Sequence, residues 1–97
     1  MATVVYSVCA LDQLEHAFEF LRNENPGAAQ NAVQAIRSAA TLLGEHPLVG
    51  RRLHGDIREL VISYGPTGYV ALYRFVPALQ EVRILAIRHQ RELHYRP

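Results

Sequence analysis

The feature that most constrains the fold is a short break between two amphipathic stretches of helical period. Apolar residues recur at Leu11, Leu14, Phe18 and Leu21, with Ala17 beside them, and again at Ala29, Ala32/Val33, Ile36, Ala40 and Leu43. Each set is one stripe along a helix. Between them lies Asn23-Glu24-Asn25-Pro26. Asparagine before proline suits an N-cap followed by the first helical position, where proline's missing N–H is not needed. So short a connection leaves the two helices only an antiparallel hairpin. Asp12 and Glu15 are expected in the first turn of the first helix, where the helix dipole favours negative charge. Gly44 is expected to be the C-cap glycine of the second, and Pro47 prevents its continuation.

The rest of the chain reads as strands. Residues 3–8 are rich in β-branched and aromatic side chains and form a short first strand. After a loop over Pro47–Arg52 come three β segments, Ile57–Ser63, Tyr69–Val76 and Glu81–His89. Turn residues separate them at Tyr64-Gly65-Pro66-Thr67-Gly68 and at Pro77–Gln80, and connections this short imply an antiparallel meander. Tyr69–Phe75 is apolar on both faces for most of its length, as a central strand should be. The expected fold is one α+β domain over residues 1–97. Its order is strand, helix, helix, three strands, with the helical hairpin packed on one face of an antiparallel sheet. The other face is left concave and open to a partner. The helical and strand periods together place Val4, Tyr6, Leu14, Phe18, Leu21, Val33, Ile36, Ala40, Leu60, Ile62, Ala71, Tyr73, Ile84 and Ala86 in the core.

Charge divides the chain in two. Residues 1–49 hold two arginines against five carboxylates, a net of −3, whereas residues 50–97 hold eight arginines against four, a net of +4. Lysine is absent. The bland reading is a solvated basic face; the sharper one is a second half that meets an acidic or phosphate-bearing partner, to which arginine's planar fork is suited. Arg51, Arg58, Arg74, Arg83, Arg88, Arg91 and Arg96 are the candidate partner-binding residues. Arg51 and Arg52 follow Gly50 and either pin the loop, through Glu59 or Glu45, or reach a partner. Arg58 and Glu59 are sequence neighbours and face opposite sides of a strand. Arg74 is expected on the open face, with Tyr69, Ala71, Tyr73 and Phe75 on the other.

Chemistry is sparse. Without lysine no Walker loop is possible, and no glycine-rich dinucleotide loop or nucleophile elbow is present. The single Cys9 excludes an internal disulfide and is read as a small buried hydrophobe. His89 and His94 are five apart and share no helical face with each other, and His54 and Asp56 lie elsewhere, so neither metal nor cofactor is expected. The opening residues carry no basic leader, and no segment is long enough to span a membrane, so a cytoplasmic protein is expected. Only His89, Tyr95, Arg88 and Arg91 cluster groups capable of acid–base work near a phosphate.

Four stretches, taken together, resemble the RelE/ParE family of toxins from bacterial type II toxin–antitoxin modules. They are Ala10-Leu11-Asp12-Gln13-Leu14; Asn25-Pro26 with Ala28-Ala29; His46-Pro47-Leu48 and Gly50-Arg51, followed by Arg58-Glu59-Leu60; and Leu72-Tyr73-Arg74 with Ile84-Leu85 and Ile87-Arg88-His89. The resemblance spans nearly the whole chain and is strongest to the ParE, or plasmid-stabilisation, branch. It implies a toxin neutralised by a cognate antitoxin with an acidic or amphipathic C-terminal tail, in a toxin–antitoxin hetero-oligomer.

The family's two activities divide by chemistry. The RelE branch is a ribosome-dependent mRNA endonuclease with cations lining its concave sheet; the ParE branch inhibits DNA gyrase. Where the nuclease branch has lysines on the first meander strand, this chain has Glu59 and Val61. Where it has an arginine after the turn glycine, this chain has Gly68-Tyr69-Val70. Metal-independent RNA cleavage must stabilise extra negative charge on the transferring phosphate, so a carboxylate and valines there oppose it. The resemblance therefore implies gyrase inhibition without a catalytic residue. On the nuclease alternative His89, Tyr95, Arg88 and Arg91 would act. A third reading is a relic that binds antitoxin and has lost its poison.

Overall fold

Ser7 starts the first helix a turn earlier than the apolar stripe suggests. Its hydroxyl accepts the Ala10 N–H at 3.0 Å, making Ser7 the N-cap of α1 (Val8–Glu24). The first strand, β1 (Thr3–Tyr6), is correspondingly short. Two expectations are corrected by this shift. Asp12 and Glu15 lie beyond the first turn, which holds no acidic residue. Cys9 falls on the solvent side and is exposed, while Ala10 takes the fully buried position. The buried stripe accordingly runs Ala10, Leu14, Ala17, Leu21, and Leu11 is left exposed.

The break between the helices forms as the sequence dictates. Asn25 Oδ1 accepts the N–H of Gly27 at 3.0 Å and of Ala28 at 3.2 Å, and Pro26 opens α2 (Pro26–Glu45). At the far end His46, not Gly44, is the C-cap, donating its N–H to Leu42 O at 2.7 Å. Gly44 instead serves a close approach inside the helix. The chain's second residue crosses it, with Ala2 N–H bonded to Gly44 O at 2.8 Å, and a Cβ on Gly44 would lie 3.1 Å from Ala2 O.

The computed structural model describes residues 1–64 and 67–89. Its sheet has five strands in the order β1-β5-β4-β3-β2, with β2 at Arg51–His54, β3 at Ile57–Tyr64, β4 at Thr67–Val76 and β5 at Glu81–His89. The three meander strands match the expected segments, and the two helices cover one face. Two features go beyond the expected order. β2 extends the sheet where a loop was expected, pairing Arg51 with Glu59 and Arg52 with Arg58. All four of its residues are exposed, so no apolar alternation marked it. The sheet is also mixed: β1 runs parallel to β5, from Thr3↔Glu81 to Tyr6↔Ile84, while the other pairs are antiparallel. The two helices between β1 and the meander supply the long crossover that parallel pairing needs.

The core lies between helices and sheet. Tyr73, Leu43, Ile84 and Val82 are its largest fully buried side chains, with Ile36, Ile62, Tyr69, Ala71 and Ile87 around them. Val4, Tyr6, Leu14, Leu21 and Leu60 pack against it half-buried. Ala86 is the expected core residue that changes face. On β5 Leu85 is an extra residue, because Leu72 opposes Ala86 while Tyr73 opposes Ile84. This bulge sends Ile87 to the helices and puts Ala86 opposite Leu72 on the open side.

One buried clamp ties the loop before β2 to this core. The Tyr73 hydroxyl accepts the Gly50 N–H at 2.8 Å, and Arg58 Nη1 donates to Leu48 O at 3.1 Å and Gly50 O at 2.9 Å. Burial pushes the Tyr73 phenol above its ordinary pKa, so it stays a neutral hydroxyl. A Cβ on Gly50 would lie 2.6 Å from the Tyr73 ring and 2.7 Å from Glu59 O, closer than any side chain is tolerated.

This packing sets the expected cost of three substitutions. Ile36→Ala should lower the unfolding free energy by ~2–5 kcal/mol in denaturant titration, since the side chain is buried between helix and sheet. Tyr73→Phe, which strands the buried Gly50 N–H, should cost about 1–3 kcal/mol. Gly50→Ala should cost more than Tyr73→Phe, because backbone must move to admit it; equal stability of the two would disprove the clamp.

Candidate functional site

The face without helices is built from alternate residues of all five strands. Register lines them in rows. Val5, Arg83, Arg74 and Ile57 form one, and Ala86, Leu72, Glu59 and Arg51 the next. Arg88, Val70 and Val61 form a third. The result is an apolar centre of Val61, Val70, Leu72 and Ala86 framed by four arginines.

Three of those arginines carry a carboxylate of their own. Arg51 Nε donates to Glu59 Oε1 at 3.0 Å, and its Nη2 shares the same oxygen. Arg74 Nη2 meets Asp56 Oδ1 at 3.0 Å, and Arg83 Nε meets Glu81 Oε1 at 2.6 Å. The Arg74 guanidinium holds the Asp56 carboxyl below its ordinary range. Among the described residues, the buried Nε atoms of Arg74 and Arg88 have no hydrogen-bond partner. Because β4 and β5 set Arg74 directly beside Arg83, their separate carboxylates are what make a like-charged cross-strand pair tolerable.

The candidate residues therefore do not form one cluster. Arg51, Arg74, Arg83 and Arg88 share the open face, as the alternation of Arg74 with Tyr73 indicated. Arg58 points the other way, into the Leu48–Gly50 carbonyls. His89 ends β5 opposite Tyr69, and its side chain is outside the described residues, as are Arg91, Tyr95 and Arg96. Sequence reasoning did not find the anchoring roles of Tyr73 and Ser7, since a hydroxyl in an apolar run carries no signal of the loop it will meet.

A second surface is a groove between α2 and β3. Ala35, Ser38, Ala39 and Leu42 line one wall and Leu60, Val61 and Ile62 the other. The small residues of α2 divide by face: Ala29 and Ala32 are buried, whereas Ala35 and Ala39 leave room beside β3. Leu42 and Val61 stand at its margins, exposed by 36% and 52%, enough apolar surface to favour an amphipathic occupant.

Comparison with known proteins agrees with this architecture. Residues 4–94 match the family described as ParE toxin of type II toxin-antitoxin system, parDE. Toxin RelE3 of Caulobacter vibrioides is 42% identical over 73 residues, covering 75% of this chain and 77% of the relative. Toxin RelE2 of the same organism is 34% identical over 93 residues, 96% of this chain and the whole of the relative. Among solved structures, the fold is shared with a chromosomal ParDE system from P. aeruginosa (TM-score 0.71, 23% identity, 91% of this chain and 95% of that one). It is also shared with the E. coli RelBE toxin–antitoxin complex (TM-score 0.63, 12% identity, 91% and 95%). With two helices on a five-stranded mixed sheet and a family match spanning almost its full length, the chain belongs to the ParE/RelE superfamily as a type II toxin–antitoxin toxin.

Proposed function

We propose that the free chain arrests growth by inhibiting DNA gyrase, and that a cognate antitoxin silences it with an acidic, amphipathic tail laid over the open face and the α2–β3 groove. The observation that carries the target is the pairing of the open-face arginines. A nuclease that works without a metal needs cations free to meet charge developing on phosphate. Here Arg51, Arg74 and Arg83 are each engaged by a carboxylate, and Glu59, Ile57 and Val61 occupy the open side of β3. Such a face suits a protein partner better than a phosphodiester in reaction.

Residues 83–97 hold Arg83, Arg88, Arg91 and Arg96 against Glu92 alone, a net of +3. A segment of that charge binds an acidic protein surface or the phosphates of gyrase-bound DNA, with affinity that falls as salt rises. The RelE-like endonuclease is the second reading. The names of the two curated relatives favour it, as does Arg88, which has no carboxylate of its own among the described residues.

Purified chain is expected to block gyrase supercoiling and leave ribosome-bound transcripts whole. Deleting residues 90–97 should abolish growth arrest while antitoxin still co-purifies, whereas His89→Ala should leave most of the arrest, because inhibition by binding requires no proton transfer. Loss of arrest in His89→Ala or Tyr95→Phe, with cleaved transcripts in the active strain, would move the protein to the endonuclease branch. For neutralisation, an antitoxin stripped of its C-terminal tail should no longer hold the chain in a pull-down.

A further inference from the structure

β5 changes face halfway along. Before the bulge, Val82 and Ile84 are buried against the helices and Arg83 is exposed. After it, Ile87 is the residue that joins the core cluster, while Ala86 and Arg88 stand opposite Leu72 and Val70 on the open side. Had the strand continued without its extra residue, alternation would turn Arg88 into the core and Ile87 outward.

The same inversion decides which amides point away from β4, because hydrogen-bonding direction along a strand alternates with the side chains. Ile84 O faces outward and accepts the Ser7 N–H at 2.9 Å; Leu85 O, the next carbonyl, faces the same neighbour and accepts the Ser7 hydroxyl at 3.0 Å. Past the bulge it is Ile87 N–H that points outward, and Gln13 Oε1 accepts it at 2.7 Å. β1 ends at Tyr6, so in this stretch α1, not a strand, covers the edge of β5. The Ser7 N–H bond to Ile84 O precedes the inversion and is compatible with either register. The Gln13 bond is available only once the strand has bulged.

We propose that Gln13 is a positioning residue: its side-chain oxygen locks β5 in the bulged register and thereby holds Arg88 on the open face. The register statement stands on the hydrogen bonds alone; its consequence for poisoning rests on the reading that the basic C-terminal segment carries toxicity.

Gln13→Leu removes the acceptor and keeps the helix former, while Gln13→Glu keeps an oxygen on a side chain of the same length. Amide hydrogen exchange followed by NMR should show the Ile87 N–H of Gln13→Leu exchanging at least about tenfold faster, the size expected for loss of one such bond. The Gln13→Glu protein should keep its protection. Growth arrest should be lost in Gln13→Leu and retained in both Gln13→Glu and Ile36→Val, a core variant that weakens the fold without touching β5. If Gln13→Leu does not accumulate, Gln13→Met carries the same test. Unchanged Ile87 exchange in the oxygen-less variant, or a Gln13→Glu protein that behaves like it, overturns the proposal. Faster exchange with growth arrest intact supports the register lock and removes the reading that this segment is the poison.

Discussion

A hydrogen bond on the buried side of the sheet determines the electrostatics of its exposed side. β2 has no buried side chain to hold it, since Arg51, Arg52, Leu53 and His54 are all exposed. Its position comes from its ladder with β3 and from the residue just before it, where Gly50 is held between the Tyr73 hydroxyl and the Arg58 guanidinium. Hydrophobic burial alone would leave this strand free to slip. The clamp prevents that, and so keeps Arg51 opposite Glu59. With Arg51 elsewhere, the carboxylate of Glu59 would stand uncompensated in the middle of the face. Gly50 is required for the same reason: the tyrosine must come within reach of an amide that any side chain would hide.

Most of the element order was legible because local chemistry decides it. The Asn25-Pro26 cap, the two apolar stripes and the three meander segments are encoded within a few residues each. What escaped reading depends on partners distant in sequence. Gly44 looks like a helix stop until Ala2 is seen crossing it. β1 has strand composition, but nothing in residues 3–6 specifies that it runs parallel to β5. The bulge at Leu85 is the most consequential case. Strict alternation through Ile84, Ala86 and Arg88 would put all three on one face, whereas the extra residue separates Ile84 from the other two. Of the candidate site residues, the open-face placement of Arg74 was readable from its neighbour Tyr73. The inward turn of Arg58 was not, because the carbonyls it meets belong to a loop with no sequence signature.

The pairing of three open-face arginines has a consequence for recognition. A partner's carboxylate that reaches Arg51, Arg74 or Arg83 meets a guanidinium already partly neutralised by its own carboxylate, so the net electrostatic gain per contact is small. Such contacts fix register and reject cationic partners more than they add affinity. Affinity must then come from covering Val61, Leu72 and the apolar margin around them. A tail that is only acidic would be steered to this face without holding on, and one that is only apolar would lack a defined position. An acidic amphipathic segment satisfies both requirements.

The sheet order adds a constraint of length. The α2–β3 groove and Arg88 on β5 are separated by β4, so they lie two strand spacings apart, about 10 Å across the sheet. One helix lying in the groove covers Val61 and Leu42 but does not reach Arg88. A second segment must cross the open face, over Leu72 and Val70, before the β5 side is masked. On the proposed mode of binding, anchoring and neutralisation are separable: the groove would supply an anchor, while control of the basic end would depend on the part of the tail that crosses the sheet. The register of β5 matters to that second step alone, because inverting it would replace the guanidinium of Arg88 with the side chain of Ile87 and leave the groove unchanged.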